Sequence, residues 1–247
     1  MTTELLVPYW GSPALMIETV DSVLAQDEDD WLLTVVDDGY PDPTVKDHIA
    51  ELADPRVTYR RNERNLGISG NFQRCLDVAR GDVVTFLGSD DLLEPRYVRR
   101  VRECFEAHPG ASMVQPGVTV VDGEGRPSEP LADKVKQRLL RPRGTGVRLL
   151  SGEQLAASLM VGDWLYWPSL AFRREALAGR SFRQEYEVVL DLALIMQLVM
   201  DGHQLALDDE PAFRYRRHDA SVSAVARATH RFDDERDYFS QAAVELD

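Results

Sequence analysis

Apolar residues occur along this chain in short continuous runs, separated by stretches in which they recur at helical spacing. Over the first ninety residues the two patterns alternate almost without interruption. Leu5, Leu6 and Val7 form an apolar run stopped by Pro8, which reads as a buried strand. Ser12 followed by Pro13 starts a helix, because Ser can cap free amides and Pro fits a first turn; Ile17, Val20 and Leu24 then follow at helical spacing. The run 31–36 is a second strand, ended abruptly by Asp37, Asp38 and Gly39. The pattern then predicts a helix over 44–52, a short strand over 57–59, a helix over 68–79 and a wholly apolar strand over 82–87. This order predicts an α/β fold with parallel strands and crossover helices, in which ligands collect beyond the carboxyl ends of the strands.

After Asp91 the alternation loosens. A helix is expected over 97–107, a strand over 112–121, a helix over 153–160, an aromatic strand-like segment over 164–172, a buried helix over 191–200 and a last strand over 213–215. Between them, 122–148 is polar, basic and broken by Pro and Gly, and is expected to be a mobile loop. The 247 residues, 44% hydrophobic and 28% charged, suit one enzyme-sized globular domain over 1–247 rather than a disordered chain.

A formal charge of -14 disfavours nucleic acid as a partner, and anionic membranes too unless charge is segregated. Two basic clusters do stand apart: Lys134, Lys136, Arg138, Arg141, Arg143 and Arg148, then Arg214, Arg216 and Arg217. A solvated face is the plain reading of both. Cys75 and Cys104 make neither a disulfide framework nor a metal-type pair. Without an export signal or a span long enough to cross a bilayer, the expected location is the cytoplasm, with contact to the inner face of the membrane left open.

Two acidic pairs end strands. Adjacent carboxylates in Gly88-Ser89-Asp90-Asp91, behind an apolar strand, are costly unless a cation meets them, and Mg²⁺ or Mn²⁺ is the natural one; a helix cap or solvated turn is the alternative. Asp37-Asp38 offers acceptors for base N–H groups and ribose hydroxyls, although Asp-Asp-Gly is also turn chemistry. Together they suggest a nucleotide with a metal on its diphosphate.

Ser22-Val23-Leu24-Ala25-Gln26, Val35-Val36-Asp37-Asp38-Gly39, Asn65-Leu66-Gly67, and Ala79-Arg80-Gly81-Asp82 leading through Phe86-Leu87 to Ser89-Asp90-Asp91 form an ordered set. That set resembles family 2 glycosyltransferases, and the similarity returns at Asp191 and over Tyr215-Arg216-Arg217-His218 and on to Ser223. The resemblance implies a GT-A fold, with a Rossmann-like doubly wound sheet flanked by helices, a donor half over about 1–92 and an acceptor half over about 93–247. It implies that Pro8, Tyr9 and Asp38 contact the base, that Asn65, Gly67 and Asn71 line the same pocket, and that Ser89 and Asp90 sit by the ribose or donor sugar. Asp91 would hold Mn²⁺ or Mg²⁺, His218 could add a ligand, and Arg216 could neutralise the departing diphosphate. Asp191, opening an apolar helix, would be the general base of an inverting transfer, its alternative being an N-cap. Trp164 and Trp167 would be an acceptor platform or core. Gly88 stands where the family often has an acid, and Trp10 where it often has Asn.

The implied reaction moves a sugar from a nucleotide diphosphate sugar, UDP- or dTDP-linked, to a glycan, lipid-linked or small-molecule acceptor. A non-catalytic sugar-nucleotide binder is the alternative of a different class. A sugar nucleotidyltransferase should carry a Gly-rich loop with a basic residue after the first strand, and Tyr9-Trp10-Gly11-Ser12 is not one.

Overall fold

Three strand–helix units and a fourth strand open the chain: β1 (Thr3–Tyr9), α1 (Pro13–Leu24), β2 (Trp31–Asp37), α2 (Thr44–Leu52), β3 (Val57–Arg61), α3 (Gly67–Val78) and β4 (Val83–Phe86). The computed structural model describes residues 1–186, 188–218 and 238. The four strands pair in parallel in the order β3-β2-β1-β4, as the alternation predicts. β1 does not stop at Pro8: its ladder with β2 continues to Tyr9, whose carbonyl accepts from the Asp38 amide at 3.0 Å.

Two of the motifs that carry the family resemblance are fastenings of this sheet. Glu4, fully buried on β1, accepts from Thr34 Oγ1 at 2.8 Å and from the amides of Arg80 and Gly81 at 2.5 and 2.8 Å, which fixes the turn into β4. A side chain at Gly81 would strike Glu4 Cβ, at 2.7 Å. Gln26 spans to residues 94–98, donating to Glu94 O at 2.9 Å and accepting from Val98 N at 3.0 Å.

Among the described residues the strands and α-helices that follow are β5 (Leu92–Leu93), α4 (Tyr97–Ala107), β6 (Ala111–Val121), α5 (Leu131–Val135), β7 (Arg148–Leu150), α6 (Gly152–Val161), β8 (Ala171–Arg173), α7 (Leu190–Met200) and β9 (Gln204–Arg216). Among the described residues nine strands make one sheet, continuing from β4 through antiparallel β8 to β6, β9 and β5, with β7 on the side of β9. β9 begins nine residues earlier than the apolar pattern suggests. It pairs in parallel with β6 across bulges at Gln115 and Gly117, and its Asp208-Asp209-Glu210-Pro211 stretch hides the strand in the sequence. The aromatic segment near Trp164 is a short 3-10 turn over Trp167–Ser169 followed by β8, not one strand.

The basic stretch 122–148 is not an unstructured loop. α5 runs on as a π-helical turn over Lys136–Leu140, closed by Arg141 N donating to Lys136 O at 2.9 Å. Arg141 and Arg148 are not solvated but converge on Asp209, at 3.0 and 2.6 Å. α1, α2 and α4 pack on one face of the sheet, with Leu5 and Val7, while α3, α6 and α7 pack on the other, with Leu6. Cys75 and Cys104 are free and buried, and among the described residues no helix is long and apolar enough to cross a membrane.

Candidate functional site

A cavity of about 920 Å³ opens beyond the carboxyl ends of β1, β2 and β4, and α5, α7 and β9 close its other side. At the first end, Asp37 is consumed by structure: it accepts from Tyr40 N at 2.7 Å, from the Tyr59 hydroxyl and from Arg61 at 2.8 Å. Asp38 lines the cavity but is also engaged, accepting from Leu66 N and Asn62 Nδ2, both at 2.8 Å, and from Gly67 N at 3.0 Å. It therefore shapes the 62–67 turn that forms one wall. Gly67 has φ +75, a conformation costly for any other residue there, and Asn65 Oδ1 accepts from its amide at 2.8 Å. Asn71 ties the wall to the sheet, donating to Val36 O at 3.0 Å and accepting from Asn62 at 2.9 Å.

Pro8, Asp38, Asn65, Gly67, Asn71, Ser89, Asp90, Asp91 and Asp191 thus share one cavity. Tyr9 does not join them. It is fully buried against Tyr40, with its hydroxyl on Gly11 O at 3.1 Å, and the aromatic ring that does reach the cavity is Trp10, half exposed and edge-on to Tyr40 at 5.2 Å.

In the middle of the cavity Asp91 is buried, and burial followed by the charge of Asp90 pushes its carboxyl well above the usual range. One oxygen accepts from Arg216 N at 2.8 Å, and among the described residues no ion pair meets the carboxylate. A Cβ at Gly88 would collide with the other oxygen, so an acid at position 88 would not fit this conformation. Asp90 pairs with His218 Nε2 at 2.8 Å. A buried carboxylate without a cation, beside a second carboxylate and an imidazole, is a donor set that suits Mg²⁺ or Mn²⁺. Among the described residues no three such side chains group closely enough to hold an ion alone, so substrate oxygens would complete its shell.

Arg216 lines the cavity, but its guanidinium is held elsewhere, by Glu18 at 2.5 Å and Gly123 O at 2.8 Å. Its backbone amide is what serves Asp91. The continuation 219–223 lies outside the described residues.

At the far end, Asp191 is the second residue of α7 and not its N-cap, a place taken by Val189. Its Oδ1 accepts from Leu192 N at 2.7 Å. Burial first, then the charge of Asp163, raise its carboxyl to about 7, with Lys136 opposing. The helix N-terminus alone would have kept it acidic; burial outweighs that effect. Trp167 lines the cavity and stacks on Phe86 at 5.4 Å, whereas Trp164 is fully buried with its indole on Ser158 Oγ at 3.3 Å and does not reach the cavity.

Sequence reasoning missed the clasp that holds this wall. Buried Asp133 on α5 accepts from Tyr166 OH at 2.9 Å and from Arg217 at 3.1 Å, and Lys136 donates to Leu165 O at 3.0 Å. Nothing local marks Asp133 or Asp163 as site residues. Trp10 carried a signal, a large aromatic just past a strand end.

The sequence pattern described as Glycosyl transferase family 2 matches residues 5–158. The succinoglycan biosynthesis protein ExoO of Rhizobium meliloti (strain 1021) is 26% identical over 227 residues, 91% of this chain and 63% of ExoO. S. aureus TarS 1-349 in complex with UDP-GlcNAc superposes with a TM-score of 0.70 at 17% identity, over 90% of this chain and 60% of that one. Mannosyltransferase PcManGT from Pyrobaculum calidifontis, in complex with GDP-Man and Mn2+, gives 0.70 at 17% identity, over 98% and 64%. This chain therefore spans less than two thirds of each of these proteins. At such identities the two structures establish the fold, that of the GT-A glycosyltransferases.

Proposed function

The chain belongs to glycosyl transferase family 2, and on that premise we propose that it transfers a sugar from a nucleotide diphosphate sugar to an acceptor hydroxyl by inverting displacement, with Asp191 as general base. The observation that carries this reading is one cavity with two unlike acidic ends. At one end carboxylates are tied down by backbone amides; at the other Asp191 is raised to about 7, where a base takes up and releases a proton readily near neutral pH. The nucleotide sugars carried by TarS and PcManGT support a donor of that class.

In this reading the base and ribose lie between Trp10 and the 62–67 turn, and Ser89 and Asp90 face the ribose or donor sugar. As the acceptor oxygen bonds to the anomeric carbon, the bond from that carbon to the diphosphate oxygen breaks and Asp191 takes the hydroxyl proton. The products are an inverted glycoside and a nucleoside diphosphate. Mn²⁺ or Mg²⁺, when bound, supplies positive charge to the leaving diphosphate; Asp91, Asp90 and His218 are the residues that would hold it. Trp167 and Tyr166 offer the acceptor an apolar wall, and the acceptor itself is a glycan, a lipid-linked sugar or a small molecule.

Thermal unfolding with UDP, dTDP, GDP and CDP, each with and without Mn²⁺, tests the donor site. A nucleotide at one hundred times its dissociation constant contributes about 2.7 kcal/mol, a rise on the order of 5 °C for a chain of this size. One nucleotide should give such a rise only with the metal present. No rise with any of the four would sink the donor assignment.

A further inference from the structure

The outward face of the 131–140 segment is not explained by the cavity it helps to close. Leu131, Val135 and Leu139 recur every four residues and are 78%, 38% and 70% exposed. The inward face is fully engaged: Asp133 and Lys136 make the clasp described above, Ala132 lines the cavity, and Leu140 packs beneath Gly162. Val161, next to Gly162 in the chain, is also 79% exposed. Three aliphatic side chains aligned in the open on ten residues are unusual on a surface that meets only water.

Charge indicates what covers them. Residues 131–143 hold five cations and a single acid, buried Asp133, in a chain whose net charge is -14; with Lys136 in the clasp and Arg141 on Asp209, the outward cations are Lys134, Arg138 and Arg143. Arg143 is exposed, with no partner among the described residues, and Lys134 and Arg138 share one acid, Glu129, at 3.1 and 3.8 Å, in exposed ion pairs of little strength. A two-fold contact with a second copy would lay this cationic patch on itself, which opposes association. An apolar stripe flanked by Lys and Arg is instead the chemistry of a helix lying in the headgroup region of an anionic bilayer.

We propose that the 131–140 segment is an interfacial element that seats this wall of the cavity on an anionic membrane surface. Leu131, Val135, Leu139 and Val161 enter the acyl boundary, while Lys134, Arg138 and Arg143 meet anionic headgroups. The proposal does not depend on the reaction assigned above.

The test is co-sedimentation of the full chain with phosphatidylcholine vesicles, with and without phosphatidylglycerol, at low and high salt. The parent should bind only the phosphatidylglycerol vesicles, less tightly as salt rises. Leu131→Glu/Leu139→Glu should weaken binding by roughly tenfold per leucine, and Arg143→Glu, which disturbs no described contact, several-fold. Circular dichroism and the nucleotide-dependent rise in melting temperature, unchanged in both variants, show that fold and donor site survive. A parent that ignores phosphatidylglycerol vesicles, or a double variant that binds them as the parent does, overturns the proposal. So does a concentration-dependent dimer that the double variant abolishes while vesicle binding is absent, since a second copy then covers the patch.

Discussion

The two ends of the cavity are built on opposite electrostatic plans. At the Asp38 end each carboxylate oxygen is met by a donor: Asp38 by three N–H groups, Asp37 by an amide, a phenol and a guanidinium. At the Asp191 end two carboxylates face a common space, and burial, with the charge of Asp163 adding to it, raises Asp191 to about 7. Asp91, between them, has a backbone amide but, among the described residues, no ion pair. The satisfied end is a mould, rigid before any ligand arrives. The carboxyls that burial and a neighbouring charge raise, Asp91 and Asp191, are where binding or proton transfer changes the energy most.

Removing the charge at the open end has the largest expected effect. Asp191→Asn preserves shape but cannot accept a proton, and transfer should fall by about 10²–10⁴-fold, the range expected for loss of a general base. Donor affinity, read as the nucleotide-dependent shift in melting temperature, should stay as in the parent. Steady-state release of nucleotide at the parental rate would remove Asp191 from its role.

Next in size is the middle of the cavity. Gly88→Ala places a methyl group against the Asp91 carboxylate, and that overpacking should cost about 1–3 kcal/mol of stability. It should also erase the Mn²⁺-dependent part of the nucleotide shift. A variant that melts like the parent and keeps its metal response would show that Asp91 is free to move, and that the departure from the family's acid at position 88 has no structural cause.

How much of this was legible in sequence follows the same division. The parallel half was readable because each unit is local: an apolar run, a cap such as Ser12-Pro13, and an amphipathic helix, with helices at 44–52 and 97–107 read to the residue. The motif residues there are legible as an ordered set even where their bonds are long, Gln26 meeting Glu94 across 68 positions and Arg80 meeting Glu4 across 76. The other half is made by long-range pairs. Asp133 meets Arg217 across 84 positions and Tyr166 across 33, and Asp208 meets Arg100 across 108. No periodicity marks such pairs, and β9 and the 122–148 stretch were misread for that reason. The residues 122–148 looked like a solvated basic loop because the acid that holds Arg141 and Arg148, Asp209, lies on another segment.

A smaller effect is expected on stability. A carboxyl whose value rises from 3.8 unfolded to about 7 folded favours the protonated form in the native state. Its contribution is therefore fully present below about pH 4 and is lost as pH climbs through 7. Asp191→Asn has no such loss. The variant should match the parent at pH 4 and exceed it by about 1–2 kcal/mol at pH 8, allowing for water that enters the open cavity. Denaturant titrations at the two pH values measure the difference, and a variant less stable than the parent at pH 8 would mean that Asp191 is ionised and well solvated.

The finest test separates the two carboxylates at the open end. After burial, the charge of Asp163 is the largest influence raising Asp191. Asp163→Asn leaves burial in place and removes that charge, so Asp191 should ionise at lower pH. In the profile of kcat/KM the acidic limb, which follows ionisation of the base in the free enzyme, should move downwards, while the plateau above it changes little. If Asp163 only shapes the turn before Trp164, through its bond to Leu165 N at 3.0 Å, its loss should lower the plateau and leave the limb where it was. The direction of the limb therefore decides whether the open end is tuned by one carboxylate acting on another or by burial alone.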